Sequence, residues 1–256
     1  MPKFSANLST LFGELGFLDR FEAAAKAGFG GVECLFPYAY PVEQIAHRLC
    51  SHGLQLVQYS LPCGDWAGGE RGIACDPERR AEFRRGIDEA IRYARALGVR
   101  QLHCLAGILP VGVTPEQGRA TLISNLQGAS ALLKQHGIAL LISPQDSSGY
   151  PGFFVTGAGQ ALDIIRDTGS NNLFLQCGIE YLHCMEGEQA GAVAARLALL
   201  RHVDVTDCAN GRADDDHAPL LGMLDRLGYP GWIGCAREPG AFPLGSLVWR
   251  IPHLTS

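Results

Sequence analysis

Apolar and polar positions along this chain follow two alternating periods from end to end. Short apolar runs lie at Phe4 to Asn7, Gly31 to Leu35, Leu54 to Ser60, Gln101 to Leu105, Ile138 to Ile142, Leu173 to Cys177, His202 to Val205 and Trp232 to Cys235. Those in the second half break into polar residues at their C-terminal ends, the form of a buried parallel strand feeding a βα loop. Between the runs, apolar residues return every three or four positions, as in Phe17, Phe21, Ala24 and Ala25, or Phe83, Ile87, Ala90, Ile91 and Ala94, which predicts helices with one buried face. These helices tend to end in glycine, at Gly28, Gly98, Gly137 and Gly228. Eight such repeats, with no Pro/Ser-rich linker or charge block between them, predict an α/β fold: a single (β/α)8 TIM barrel, residues 1–256 forming one domain.

Chemistry in such barrels sits at the C-terminal ends of the strands. There the sequence offers Ser143 and Gln145, Glu180 and His183, Asp204, and Arg237 with Glu238. Asp204 stands inside an apolar strand, where a carboxylate without a use or a partner is costly, and it is the candidate base. Glu180 or Glu238 is its candidate acid partner, and His183 titrates in the range of a general acid or base. Arg237 can hold a carboxylate or an enolate oxygen, its alternative being an ion pair with Asp204 or Glu238. The longest stretch without periodicity, Pro62 to Pro77 after the third strand, carries a Trp and an Arg and is read as a lid.

Composition narrows the partners. The 256 residues are 47% hydrophobic, enough for a full core, and 21 Lys plus Arg against 26 Asp plus Glu give a net charge of -5. Nucleic acid is therefore not an expected partner, and a small molecule is. The N-terminus lacks a charged segment followed by a long apolar one, and no run approaches the roughly 18 apolar residues of a membrane span, so a cytoplasmic protein with no membrane partner is expected. Nine cysteines, an odd and scattered set, read as reduced packing residues. A homo-oligomer is left open.

Several stretches together resemble the hydroxypyruvate isomerase family, (β/α)8 barrels of the xylose-isomerase-like group. They are Phe4-Ser5-Ala6-Asn7-Leu8-Ser9, Phe36-Pro37-Tyr38, Gly64-Asp65-Trp66 with Gly69-Glu70-Arg71-Gly72, Ala106-Gly107, Met185-Glu186-Gly187 and Gly228-Tyr229-Pro230-Gly231-Trp232-Ile233-Gly234-Cys235. The resemblance implies interconversion of ketone and aldehyde forms of small sugar acids, with Asp65, Trp66, Glu70 and Arg71 closing over the substrate. It also makes Phe36, Glu33 and His103 candidate substrate contacts. Family members, as it further implies, hold one divalent cation with a Glu, an Asp, a Gln or His, and a second Glu at the ends of strands five to eight. Those positions here are Ser143, Gly178, Asp204 and Ala236. One carboxylate and one hydroxyl suit a hard cation poorly, so no metal and no other cofactor is expected.

Three readings follow. The first is a metal-independent enzyme moving protons on a small carbonyl or carboxylate compound as isomerase, epimerase or lyase, with Arg237 and Arg71 holding negative charge. The second relocates the cation to Glu180, Asp204 and Glu238, since Gln145, Glu180 and Glu238 each lie two residues beyond a lost ligand. The third is a metabolite-binding protein without catalysis. Metal content separates the first two, and turnover separates both from the third.

Overall fold

The computed structural model describes residues 3–145, 152–185, 190–207 and 218–237. Eight strands follow one another in the chain: β1 (Lys3–Asn7), β2 (Gly31–Glu33), β3 (Gln55–Ser60), β4 (Gln101–Cys104), β5 (Ala139–Ile142), β6 (Leu173–Gly178), β7 (Leu200–Asp207) and β8 (Trp232–Arg237). They close in that order into a parallel barrel, β1 pairing with β8. Among the described residues seven helices intervene: α1 (Arg20–Lys26), α2 (Val42–His52), α3 (Arg80–Leu97), α4 (Pro115–Gln135), α5 (Ala158–Thr168), α6 (Ala190–Leu199) and α7 (Ala218–Arg226). The predicted TIM barrel is what forms. Strand ends moved where pairing outruns the hydrophobic pattern: β7 extends to Asp207 because its ladder with β8 continues to the pair Asp207 and Arg237.

The helices form for the reasons their sequences suggest. In α3, Phe83, Ile87, Ala90, Ile91 and Ala94 are all buried on one face, and Gly98 ends the helix at φ 71°, a left-handed conformation that costs a glycine nothing. Helix α4 starts on a reciprocal cap: the Thr114 hydroxyl accepts from the Gln117 N–H, the Gln117 side chain accepts from the Thr114 N–H, and Pro115 fills the first turn.

Packing divides the chain into two compact units. The first comprises Met1–Cys34, Glu43–Val57 and Cys177–Ser256, and the second Leu35–Val42 and Gln58–Gln176. Within the first, Ser5 lies opposite both Gly31 and Gly234, and Gly234 lies opposite Asp204. Side chains alternate along a strand, so Ser5, Glu33, His202, Asp204 and Gly234 share one face, while Ala6, Val32, Val203, Val205, Ile233 and Cys235 occupy the other. Those apolar residues are buried.

The second unit repeats the arrangement. Ser60 lies opposite His103, and His103 opposite Leu141, so Ser60, His103 and Ser143 share a face. Tyr59, next to Ser60, points the other way, and its hydroxyl donates to the Ala90 carbonyl of α3 at 2.7 Å.

The loop after β3 is tied down at its C-terminal end. Ile73, Ala74 and Cys75 are buried, Cys75 N–H donates to the Ala106 carbonyl at 2.9 Å, and the Asn125 amide donates to Ala74 at 2.9 Å. Gly72 and Gly107 meet backbone to backbone there: a Cβ on Gly72 would stand 2.7 Å from the Leu105 carbonyl oxygen, and its φ is 118°. Gly72→Ala is therefore expected to destabilise the protein by about 1–3 kcal/mol, read as a lower denaturant midpoint at unchanged slope. A midpoint equal to that of the wild type would show that the loop can re-seat without that contact.

Candidate functional site

Two polar clusters occupy the inward-alternating faces, one in each unit. In the first, Glu33 ends β2, His202 and Asp204 stand two residues apart in β7, and Ser5 belongs to β1. The His202 Nε2 lies 2.9 Å from a Glu33 carboxylate oxygen and 3.5 Å from an Asp204 oxygen, while the Ser5 hydroxyl donates to Glu33 at 3.0 Å. The three side chains grade from inside to outside, His202 at 0% exposure, Glu33 at 3% and Asp204 at 27%. Burial opposes charge on His202, yet Glu33 first and Asp204 with it outweigh that penalty and push the imidazole up to about 10. At neutral pH it is an imidazolium between two carboxylates.

Gly234 makes this cluster possible. A Cβ at that position would stand 2.5 Å from one Glu33 carboxylate oxygen, 2.9 Å from the other and 2.6 Å from His202 Nε2. The pair packs directly on the β8 backbone, so the glycine is required for space rather than for its torsion angles.

In the second unit, His103 Nε2 lies 2.7 Å from the Ser143 hydroxyl and Nδ1 lies 3.2 Å from the Ser60 hydroxyl. The Gln145 amide donates to Ser143 at 2.6 Å, and its own backbone N–H is fixed on the Val155 carbonyl at 2.9 Å. In the loop, the Arg71 guanidinium stacks over the Trp66 ring at 4.2 Å, and Trp66 in turn meets Phe36 at 5.2 Å between centroids. Arg71 also donates to the carbonyls of Trp66 and Glu70 at 3.1 and 2.8 Å.

The sequence candidates fall into distinct environments. Asp204 is partly exposed at the C-terminal half of β7, and Ser143 follows the last residue of β5. Glu33 and His103 are buried, each held by neighbouring side chains. Asp65 and Glu70 direct their carboxylates to the loop itself, Asp65 accepting from the Gly68 N–H and Glu70 from the Asp65 N–H. Glu70 pairs with Arg79, not with its neighbour Arg71, and that contact together with the loop N–H holds its carboxyl below the usual range. Glu180 lies in the 3-10 turn Ile179–Met185 after β6, so its facing does not follow from strand alternation. Its carboxylate folds back instead, with one oxygen 2.5 Å from where a Gly178 Cβ would be. Glu238 and the side chains of His183 and Arg237 lie outside the described residues.

His202, Ser60 and Gly234 touch the candidate residues and were passed over by sequence reasoning. His202 was within reach, since it stands two residues before Asp204 in the same strand and so shares its face. Ser60 and Gly234 carry no such signal.

The four positions that the resemblance assigns to a divalent cation do not fit one. Gly178 and Ala236 offer no side-chain donor, and the Ser143 hydroxyl is engaged by His103 and Gln145, which leaves the Asp204 carboxylate alone. Among the described residues, the donor atoms of Glu33, His202 and Asp204 lie within 4.8 Å of one another. They are a donor set of a kind that can hold a metal ion, and with no ion bound the two carboxylates and the raised imidazole form an ion cluster. Described cysteines are free thiols, and no described helix is long and apolar enough to cross a membrane.

Comparison with known proteins gives concordant matches. Residues 21–246 match the family described as xylose isomerase-like TIM barrel. The chain is similar to the hydroxypyruvate isomerase of Escherichia coli, 43% identical with 99% of this chain and 100% of that one covered. It is also similar to a 2-oxo-tetronate isomerase of Cupriavidus necator, 35% identical with 99% of each covered. A solved structure from Brucella melitensis, described as "AP endonuclease, family 2", superposes with a TM-score of 0.88 at 36% identity, covering 99% of both chains.

The ion cluster makes two predictions. Gly234→Ala is expected to cost about 1–3 kcal/mol in chemical denaturation, because the new methyl group overpacks Glu33 and His202. The second concerns pH. The folded-state pKa of His202 stands above its unfolded value of about 6.5, so its contribution to stability is full below pH ~6.5 and is lost as pH rises through about 10. Stability curves of wild type and His202→Gln should thus converge across that window, and parallel curves would mean that the imidazole is neutral in the folded state.

Proposed function

The chain belongs to the hydroxypyruvate isomerase family of xylose-isomerase-like TIM barrels, and from that premise we propose that it is an isomerase of small hydroxy-oxo acids that works by proton transfer without the family's divalent cation. The observation that carries this reading is Asp204. It is the one carboxylate at the four positions in question, and it is partly exposed while its inner side rests on His202. A base so held has a fixed orientation, which is what abstraction from a single carbon requires.

The reaction balances with these groups. Asp204 takes a proton from the hydroxyl-bearing carbon, electrons move onto the adjacent carbonyl oxygen to give an enediolate, and the hydroxyl proton passes between the two neighbouring oxygens. Asp204 then returns its proton to the former carbonyl carbon. No oxidant or reductant enters. His202 and Glu33 act through Asp204 as positioning residues. Arg71, stacked on Trp66, and Arg237 are the candidates for the substrate carboxylate, and Glu180, Glu238 and His183 are the candidates for the acid partner. An excess of acidic over basic residues, 26 against 21, argues for a small ligand rather than nucleic acid.

A second reading keeps a relocated cation on Glu180, Asp204 and Glu238. One observation favours it: the Glu180 carboxylate lies against Gly178, where the resemblance puts an aspartate ligand. Elemental analysis decides between the two, since stoichiometric Mn²⁺ or Mg²⁺ that Glu180→Gln abolishes would promote this reading over the first.

For the leading reading, Asp204→Asn is expected to lower kcat on hydroxypyruvate by at least about 100-fold with the unfolding midpoint little changed, because the two side chains are nearly isosteric. Activity near the wild-type level would remove Asp204 from the mechanism. A protein that turns over no 2-oxo acid but binds one by calorimetry would be a metabolite-binding protein instead.

A further inference from the structure

Helices α3 and α4 leave a cleft of about 660 Å³ between them, within the size range of small-molecule sites. Its floor is apolar, with the buried Phe83 and Ile87 of α3 and Ala129 of α4. Its rim is cationic. Arg80, Arg84 and Arg85 line it from the first two turns of α3, Asp88 is the one carboxylate among the lining residues, and α4 contributes no charge there. Three guanidinium groups against one carboxylate reverse the sign of the chain as a whole, which carries a net charge of -5.

Arg80 and Arg84 stand one helical turn apart, and like charges at that spacing repel each other unless something shares the charge. Their partners within the protein are few. One Arg80 Nη2–H donates to the buried Thr121 hydroxyl at 3.1 Å. Arg79 first, with Arg85 assisting, holds the Glu82 carboxyl below its usual range. Arg84 has no hydrogen-bond or ion-pair partner among the described residues.

The α4 wall is open for a reason that its own helix does not supply. Gly128 lies inside that helix, where a glycine gives up stability that an alanine would provide, and a Cβ there would meet nothing within 4 Å. Its φ is not positive, so neither torsion nor packing calls for a glycine. What the missing side chain does is keep the cleft open. Beside it, Ser124 offers a hydroxyl, and the Asn125 amide nitrogen uses one of its two protons on the Ala74 carbonyl at 2.9 Å, leaving the other to donate.

We propose that this cleft is a binding site for a small organic phosphate monoester, its phosphate held by Arg80, Arg84 and Arg85 and its body lying over Gly128 on the apolar floor. A phosphate monoester carries close to two negative charges at neutral pH and presents three acceptor oxygens, which suits several guanidinium forks better than one carboxylate does. An inorganic anion would fill only part of the volume. None of the lining residues is a candidate for catalysis or for substrate contact, so the site is additional to the isomerase reading and does not depend on it.

Calorimetry on the full chain at low salt tests this, with glycerol 3-phosphate as the probe and glycerol and inorganic phosphate as controls. The ester is expected to bind with a Kd of about 1 mM or tighter, inorganic phosphate at least about tenfold more weakly, and glycerol not at all. Arg84→Gln is expected to weaken binding of the ester at least about tenfold, as the loss of a charge-assisted hydrogen bond does. Gly128→Leu fills the cleft and should abolish the heat of binding, while Gly128→Ala, which fits the space, should raise the unfolding midpoint. Arg84 is exposed, so its substitution keeps the test decisive even where Gly128→Leu lowers the midpoint. Wild-type protein that binds no glycerol 3-phosphate overturns the proposal, as does binding that persists unchanged in Arg84→Gln. Inorganic phosphate bound as tightly as the ester would mean an adventitious ion only, and overturns it equally.

Discussion

A protonated imidazole fully shielded from water would ordinarily be driven neutral, because the lost hydration exceeds what one distant charge returns. His202 keeps its proton because Glu33 and Asp204 approach the same nitrogen from two sides, at 2.9 and 3.5 Å. That contact sets conditions on much of the first unit. Gly234 must lack a side chain to leave room, Ser5 must supply a hydroxyl to the same Glu33 oxygen that faces His202, and β7 must present residues 202 and 204 on one face. Asp204 inherits a fixed position from groups that have no exposure of their own.

In both units the strands gather their buried polar side chains on one face, Leu141 aside in the second, and the two faces answer different demands. Ala6, Val32, Val203, Ile233, Leu102 and Leu140 are buried at or near zero exposure and contribute the apolar burial that stabilises the fold. Ser5, Glu33, His202, Ser60, His103 and Ser143 are just as buried and contribute by mutual pairing. Such a network is costly when one member is missing, which ties the stability of the strands to the integrity of the chemistry.

Family membership and local chemistry point in different directions here, and the difference is informative. The loop stacks Arg71 on Trp66 and seats Gly72 against Gly107, within stretches that resemble the family. The cation positions do not, since glycine and alanine cannot coordinate through side chains and Ser143 is committed to His103 and Gln145. Family membership therefore settles the fold, and the chemistry has to be argued from the residues at the site.

The sequence by itself determined the element order, the parallel barrel and the glycine-terminated helices, because those depend on local periodicity and on backbone torsions that each segment carries with it. Gly28, Gly98, Gly137 and Gly228 all adopt positive φ, as their places after helices required. It also singled out Asp204, a carboxylate inside an apolar strand. What the tertiary structure alone decided is which residues meet. Glu33 reaches His202 across β1 and β8 from a distant part of the chain, and Ser60 meets His103, which in turn meets Ser143, through strand register that no single segment encodes. Glu70 chose Arg79 over adjacent Arg71 because the fold of the loop turned Arg71 onto Trp66. Pairings of this kind depend on register, loop path and the absence of a Cβ at Gly234, quantities that come into being only when the strands assemble.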